Sequence, residues 1–437
     1  MPRPHWTRRL AKGVAALRPV RRAAPLAPPE RGPPPPPALA LSQRLSYRLQ
    51  NSRYAAGPKP AQTLATLVHL EAEPVFVRLM YVNDDPEPWT IDGAAVAATS
   101  ALGNGVDPLN AAGDPDPSLW RPVTFQAKGR DSQPLDLIEG GDTTLTLPGN
   151  RLDVGRPVHA LSDWVPLRAL SRRDGGSGWL LLVRTFSHGS IRFAASVGLP
   201  DPAVGLLHRG FSADGDQTIP ATSGRFERDD TLFACHGVQF ITPVAGATVI
   251  GIGDSIIHSS CTSGEVSGFG IRACTAISRL DRPVSYVNEG FPGRNSLGFS
   301  TNGLWAIETL RPQIAIIQAW TRNEAWTADQ ADIAFGRAMA MADAARRVGC
   351  VPILTTAPPV FHDNSAGEAV RCAANARVRA AADSGMLLLD IDALWRTEST
   401  PAAYRPEYDA SDQTHPNNLA CAVAAEALAP MLLRILG

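Results

Sequence analysis

The chain has 437 residues, with 41 Lys and Arg against 42 Asp and Glu and a formal net charge of −1. This balance excludes a chain-wide attraction to polyanions, so we do not expect nucleic acid as a partner. The length predicts more than one folded unit, because single domains usually have about 100–200 residues.

The N-terminal segment 1–60 differs from the rest in composition. Residues 1–59 hold twelve Lys and Arg and one acidic residue, Glu30, and they include the run APLAPPERGPPPPPALA. Proline favours the polyproline II conformation and has no backbone N–H to donate. The segment is therefore predicted to be a basic, proline-rich, disordered tail or linker.

Several classes of site and location are not expected. The basic N-terminus is not followed by the apolar run of a secretory signal, and no segment is predicted to span a membrane, which leaves the cytoplasm as the default location. The six cysteines form no C-x-x-C pair, and the HSSC sequence has no second pair of metal-ligand residues to complete a site. We therefore expect no metal site, and nothing in the sequence implies an organic cofactor.

Residues 61–242 have the sequence pattern of an all-β domain. Short alternating or apolar runs are separated by Gly, Pro, Asp and Asn, a pattern typical of strands joined by turns. The runs are TLATLVHLE, VFVRLMYVN, WTIDGAAVAA, RPVTFQA, TTLTLPG, VPLRAL, GWLLLVRTFS and SIRFAASVG. Together they predict a jelly-roll-like β-sandwich.

Residues 243–437 alternate between strand and helix. The predicted strands are ATVIGIG, VSYVNEG, QIAIIQAW, VPILTTAP and MLLLDID, and predicted helices lie near 268–280, 300–310, 328–348, 365–383 and 418–436. Apolar strands, each followed by an amphipathic helix, predict a parallel sheet that is covered on both faces. The expected fold is a flavodoxin-like three-layer α/β sheet, in which ligands bind at the carboxyl ends of the strands.

Candidate active-site residues follow these strands. Ser255 stands directly after the first strand, and Asp412 and His415 lie three apart before the last helix. A serine hydroxyl needs an imidazole to accept its proton and a carboxylate to orient that imidazole. The negative charge that develops on an attacked carbonyl needs donors, for which the candidates are the Ser255 amide, the Gly293 amide and the Asn323 side chain.

Four short motifs carry a resemblance to a known family. The motifs GDS, NEGFPG, TRNE and DQTHPN occur in the order of the sequence blocks of the SGNH hydrolases, the GDSL-type esterases and lipases. The resemblance covers about residues 245–437, and the preceding β region is more loosely similar to the sandwich of some bacterial members. It implies that Ser255 is the nucleophile, His415 the base and Asp412 its partner, with Gly293 and Asn323 in the oxyanion hole.

The substrates implied by this resemblance are small acyl esters or acylated carbohydrates. The chain departs from the family where glycine usually precedes the third-block asparagine, since it has WTRN there. Trp320, Arg322 and Trp326 are therefore candidate pocket residues. Two alternatives to a serine esterase are an O-acyltransferase with the same site and a catalytically degenerate glycan-binding or scaffold protein. The sequence predicts neither acyl length nor oligomeric state.

Overall fold

The computed structural model describes most of the chain after residue 60 and two short segments before it. The described residues are 41–46, 54–55, 61–70, 72–83, 87–125, 141–149, 158–173, 175, 178–188, 192–195, 208–219, 226–228, 232–260, 262, 268–360, 365–399 and 402–437. Most of the predicted tail lies outside these residues.

The N-terminal region is built of strands. In chain order they are β1 Leu41–Ser46, β2 Tyr54–Ala55, β3 Ala61–Leu70, β4 Phe76–Asn83, β5 Trp89–Thr99, β6 Arg121–Pro122, β7 Leu145–Leu147, β8 Val158–Leu161, β9 Val165–Pro166, β10 Trp179–His188, β11 Arg192–Ala195, β12 His208–Asp214, β13 Glu227–Arg228, β14 Leu232–Phe233 and β15 Gly237–Ile241.

These strands form antiparallel sheets. One sheet has the order β1-β15-β4-β8 with β9 also on β4, and another has the order β13-β12-β3-β10-β5-β6 with β7 also on β5. The two share a buried core, and the hydroxyls of Tyr81 and Thr185, one from each sheet, lie 2.9 Å apart. The predicted all-β class of this region is therefore confirmed, while the jelly-roll-like sandwich stays a prediction.

Two strands lie inside the segment that the sequence predicts to be an unstructured tail. Strand β1 pairs with β15 from Leu41↔Ile241 to Ser46↔Gly237, and β2 pairs with β11. These pairings satisfy backbone hydrogen-bonding groups of residues 41–46 and 54–55, and the tail or linker over 1–60 stays a prediction. Residues from Leu39 to Gly437 form one unit, within which the predicted domain boundary at 242/243 stays a prediction.

The C-terminal region alternates strands and helices. The strands are β16 Ala247–Gly253, β17 Val284–Gly290, β18 Ile314–Gln318, β19 Val351–Thr355 and β20 Leu387–Leu389. The helices are α1 Ser255–His258, α2 Phe269–Ile277, α3 Ser296–Leu310, α4 Ala328–Arg347, α5 Ser365–Asp383, α6 Ile391–Trp395 and α7 Asn418–Leu436.

The five strands of this region form one parallel sheet. Their order is β17-β16-β18-β19-β20, which is the flavodoxin-like order 2-1-3-4-5. Ile250 packs in a core with residues of α3 and α4, whereas Val249, its neighbour in β16, packs with residues of α2, α6 and α7. Because successive side chains of a strand point to opposite faces, helices cover both faces of the sheet. The predicted α/β class and layer order are confirmed.

Helix α7 is the one helix in the described part of the chain that could cross a membrane by length and composition, with a mean hydropathy of 1.8. The sequence analysis predicts no membrane-spanning segment. Helix α7 nevertheless has the length and composition of one, because Glu426 and Arg434 are its only charged residues. In this structure one stripe of the helix is buried in the core, formed by Ala420, Ala424, Leu428 and Leu432.

Candidate active site

Ser255 is the first residue of helix α1, at the carboxyl end of β16, and is only 8% exposed. Asp254 caps the helix, because its carboxylate accepts a hydrogen bond from the Ile256 amide at 2.8 Å. Gly253 is required by space: a Cβ there would lie 2.3 Å from Oε1 of Gln318. The local sequence therefore turns sharply from a buried strand into a helix and holds Ser255 at the sheet edge.

Asp254 ties this turn to the end of the neighbouring strand β18. Its amide donates to Oε1 of Gln318 at 3.0 Å, and its carboxylate accepts the Thr321 hydroxyl. Burial raises the pKa of Asp254, and the hydrogen bonds from Thr321 and from the Ile256 amide oppose that rise. The turn that carries Ser255 is thus fixed by buried polar contacts.

Asp412 and His415 lie in a loop that stabilises itself through local hydrogen bonds. The Asp409 carboxylate accepts from the amides of Ser411 and Gln413 at 3.1 and 2.9 Å, and Oδ1 of Asp412 accepts from the His415 amide at 2.9 Å. Such side-chain to backbone bonds are typical of aspartate in turns. The loop therefore presents Asp412 and His415 on one side.

Three of the predicted residues form a continuous hydrogen-bonded relay. Nε2 of His415 lies 2.8 Å from Oγ of Ser255, and Nδ1 of His415 lies 2.5 Å from Oδ2 of Asp412. Burial tends to raise the pKa of Asp412, but the hydrogen bonds from the side chain and amide of His415 prevail and lower it below the ordinary value. The carboxylate therefore stays ionised and can orient the imidazole.

A small recess opens beside Ser255, with an empty volume of about 240 Å³ that includes space open to solvent. Its apolar wall is formed by Ile256, Ala357, Pro358 and Val360, and its polar lining includes Trp320, Arg322 and Thr414. Trp326 is not part of the lining, because its ring packs edge-on against the buried Trp320 at a centroid distance of 4.9 Å. Of the three predicted pocket residues, the structure thus brings Trp320 and Arg322 to the recess.

The three predicted oxyanion donors lie in different turns, and only Ser255 lines the recess. Ser255 is the first helical residue, so its amide has no acceptor within the helix. Gly293, at φ 75°, lies in the turn after β17, and Asn323 donates from Nδ2 to the Arg294 carbonyl at 3.1 Å and to Asp254 at 3.4 Å. Asn323 therefore links this turn to the Ser255 turn, but neither Gly293 nor Asn323 lines the recess.

Sequence reasoning missed the residues that hold the apolar wall. Asn375 accepts the Ala357 amide at 2.8 Å and donates to the Ala357 carbonyl at 2.9 Å, and the fully buried Arg371 donates to the Pro358 carbonyl at 3.3 Å. Arg371 in turn pairs with Asp392 at 2.5 Å. Polar residues on the inner side of the amphipathic helix α5 could have indicated buried hydrogen bonds. Their partners lie on a loop that is separate in sequence, so these contacts could not be predicted.

Comparison with known proteins adds similarities at low identity. No protein-family model and no curated protein matches the chain. Similar solved structures include a member of the lipolytic protein G-D-S-L family from Veillonella parvula, with 16% identity and a TM-score of 0.34 over 44% of this chain and 100% of that one.

Two further similar structures are a GDSL-like lipase and an acetylesterase. The GDSL-like lipase from Bacteroides thetaiotaomicron has 19% identity and a TM-score of 0.33 over 44% of this chain and 89% of that one. A mutant acetyl-xylooligosaccharide esterase from Geobacillus has 16% identity and a TM-score of 0.35 over 44% of this chain and 95% of that one. The fold assignment rests on the strand order described above, and the site assignment rests on the distances within the relay.

Proposed function

We propose that the protein is a serine esterase of the SGNH, or GDSL, class that hydrolyses short-chain acyl esters, including esters on carbohydrate. The observation that carries this proposal is the relay from Ser255 through His415 to Asp412, with its spacings of 2.8 and 2.5 Å. A hydroxyl within reach of an imidazole that is itself oriented by a carboxylate is the arrangement that activates serine as a nucleophile.

The first half of the reaction transfers the acyl group to Ser255. Its Oγ attacks the ester carbonyl while Nε2 of His415 accepts the hydroxyl proton, and Asp412 stabilises the imidazolium that forms. Collapse of the tetrahedral intermediate breaks the bond to the alcohol, which leaves with the proton from His415. The Ser255 amide is the proposed donor to the oxyanion at the recess. The Gly293 amide and the Asn323 side chain are proposed to join it in the transition state, where Nδ2 of Asn323 exchanges its contact with Asp254 or the Arg294 carbonyl for the oxyanion.

The second half releases the acid. His415 accepts a proton from water, and the resulting hydroxide oxygen bonds to the acyl carbon. The second tetrahedral intermediate then expels Oγ of Ser255, which regains its proton from His415. An O-acyltransferase would differ only in using a second alcohol in place of this water, so product analysis separates the two. The complete relay favours either enzyme over a degenerate scaffold.

The small apolar wall supports a short acyl group. Ile256, Ala357, Pro358 and Val360 offer apolar contact beside Ser255, and the recess is too small for a long alkyl chain to be enclosed. The proposal therefore includes a preference for acetyl or similarly short esters over octanoyl esters.

The test is hydrolysis of p-nitrophenyl acetate, butyrate and octanoate by wild type, Ser255→Ala and Ser260→Ala. Ser260 is a matched control, because its hydroxyl contacts Nδ1 of His258 at 2.7 Å instead of His415. We expect Ser255→Ala to lose roughly 10⁴-fold or more in kcat, as nucleophile removal does in other serine hydrolases, while Ser260→Ala keeps turnover. Equal activity in wild type and Ser255→Ala, or an inert wild type that is folded by circular dichroism, would contradict the proposal.

A further inference from the structure

Arg322 stands at the recess beside Ser255, in the sequence WTRN that follows strand β18. The side chain is exposed, and its guanidinium donates to the hydroxyl of Thr414, the residue before His415. Its carbonyl accepts from Nε1 of Trp326 at 3.1 Å, and Trp326 packs on the buried Trp320. The cation is thus held at the mouth of the site by contacts at both its backbone and its side chain.

The charge of Arg322 is not neutralised locally. In the described part of the chain no carboxylate lies within ion-pair distance of it, unlike Arg371 and Arg379, which each pair with two carboxylates. The carboxylate within the relay and the one beside Ser255 are already engaged, Asp412 by His415 and Asp254 by Thr321 and the Ile256 amide. An accessible guanidinium without a carboxylate partner is suited to bind an oxyanion of a ligand.

The two sides of the recess differ in character, which indicates the part of the substrate that would carry the anion. The apolar wall formed by Ala357, Pro358 and Val360 is buried and suits a short acyl chain. Arg322 is exposed, so it faces the part of the substrate that extends into solvent. In the proposed esterase that part is the alcohol.

We propose that Arg322 is a specificity determinant that binds an anionic group on the alcohol, so that the substrates are short-chain acyl esters of alcohols carrying a carboxylate or another oxyanion. This inference rests on the proposed esterase function. The role of Arg322 is to bind and orient the substrate, and it takes no part in proton transfer.

The test compares 3-acetoxybenzoate with its methyl ester, methyl 3-acetoxybenzoate, which share the scissile acetyl group and differ in charge. Wild type is expected to prefer the anion by about fivefold in kcat/KM, the size of an exposed ion pair. Arg322→Met should bring this ratio to about one, Arg322→Lys should keep part of it, and added salt should reduce the wild-type ratio.

Arg347→Met is the matched control, because Arg347 is an exposed arginine at the end of α4 with only a long contact of 4.0 Å to Glu308. It removes the same charge far from the recess and should leave the ratio at the wild-type value. Equal ratios in wild type and Arg322→Met overturn the inference while the esterase stands. A wild type that hydrolyses neither ester faster than Ser255→Ala overturns the esterase and the inference together.

Discussion

The two halves of the relay are held in different ways. The Ser255 turn is buried and bound to a neighbouring strand through Gln318 and Thr321, which contact the amide and the carboxylate of Asp254. The loop with His415 lies at the surface, where the side chain of Asp412 is 41% exposed and the hydrogen bonds of Asp409 stay within the loop. Ser255, the proposed nucleophile, is therefore positioned by the core, and His415, the proposed base, by a local turn.

This difference predicts separable effects of mutation. Changes in the Ser255 turn should disturb packing and hence the free energy of unfolding, because buried polar groups and close backbone contacts are costly to disrupt. Changes in the Asp412 loop should reduce activity with little effect on stability, because exposed loops contribute few buried contacts.

The largest difference between the effect on activity and the effect on stability is expected for Asp412→Asn. An amide cannot stabilise the imidazolium and favours the wrong tautomer of His415, so kcat should fall by roughly 10³–10⁴-fold, as in other triads. The midpoint of thermal unfolding should change little. Steady-state hydrolysis of p-nitrophenyl acetate and a thermal unfolding scan measure the two quantities.

Asp409→Asn is the control for this variant. Asp409 accepts loop amides but does not contact His415, and asparagine keeps an oxygen that can accept them. Its loss of kcat should remain below about tenfold, since the loop geometry is retained. Equal losses in the two variants would mean that Asp412 acts only by shaping the loop.

The sequence predicted the sheet and its edges well because buried parallel strands carry a strong local signal. Strands β16 and β17 and helices α5 and α7 have the bounds that the sequence predicts, and α4 differs only at its last residue. Helix α3 begins earlier than predicted, at Ser296, because Asn295 caps it by accepting from the Gly298 amide at 3.1 Å. Helix α6 was missed, since its apolar residues continue those of β20.

The site residues also differ in how far the sequence predicts them. Ser255, Asp412 and His415 could be proposed from motif order, because each follows a predicted strand of one sheet. The contacts of Asn375 with Ala357 could not be predicted, since a helix and a loop meet there only through tertiary packing. Strands such as β8 and β12 were also missed, because short strands of an antiparallel sheet depend on partners distant in sequence.

Another prediction concerns packing around Ser255, the proposed nucleophile. Gly253→Ala would place a Cβ 2.3 Å from Oε1 of Gln318 and 2.5 Å from Cγ1 of Ile257. Both neighbours are buried, so we expect a loss of about 1–3 kcal/mol in the free energy of unfolding, measured by urea denaturation. Activity should fall with it, because Ser255 is two residues away.

Gly336→Ala provides the matched substitution. Gly336 lies inside helix α4. Apart from the adjoining backbone of its own helix, no atom of the described residues lies within 4 Å of the position that a Cβ would occupy, so alanine should stabilise the protein by about 0.5–1 kcal/mol. If Gly253→Ala proves as stable as Gly336→Ala, the buried turn is more adaptable than the close contacts indicate, and the comparison between the two halves of the relay fails.

The smallest effect is expected in the pH dependence of stability, where Asp254 and Asp412 should act in opposite senses. Burial raises the pKa of Asp254 above the unfolded value of about 3.9, so the folded state binds the extra proton and stability falls as pH rises from about 4 through the folded pKa. The pKa of Asp412 is lowered, since the hydrogen bonds from His415 outweigh burial, so its contribution is complete above about pH 4 and is lost below it.

Urea midpoints of wild type, Asp254→Asn and Asp412→Asn between pH 3 and 7.5 test these signs. The stability of wild type relative to Asp254→Asn should decrease as pH rises above about 4, whereas its stability relative to Asp412→Asn should decrease only as pH falls below about 4. Parallel curves for all three proteins would show that neither carboxylate changes its proton affinity on folding. Opposite slopes would support a buried Asp254 beside Ser255 and an ionised Asp412 beside His415.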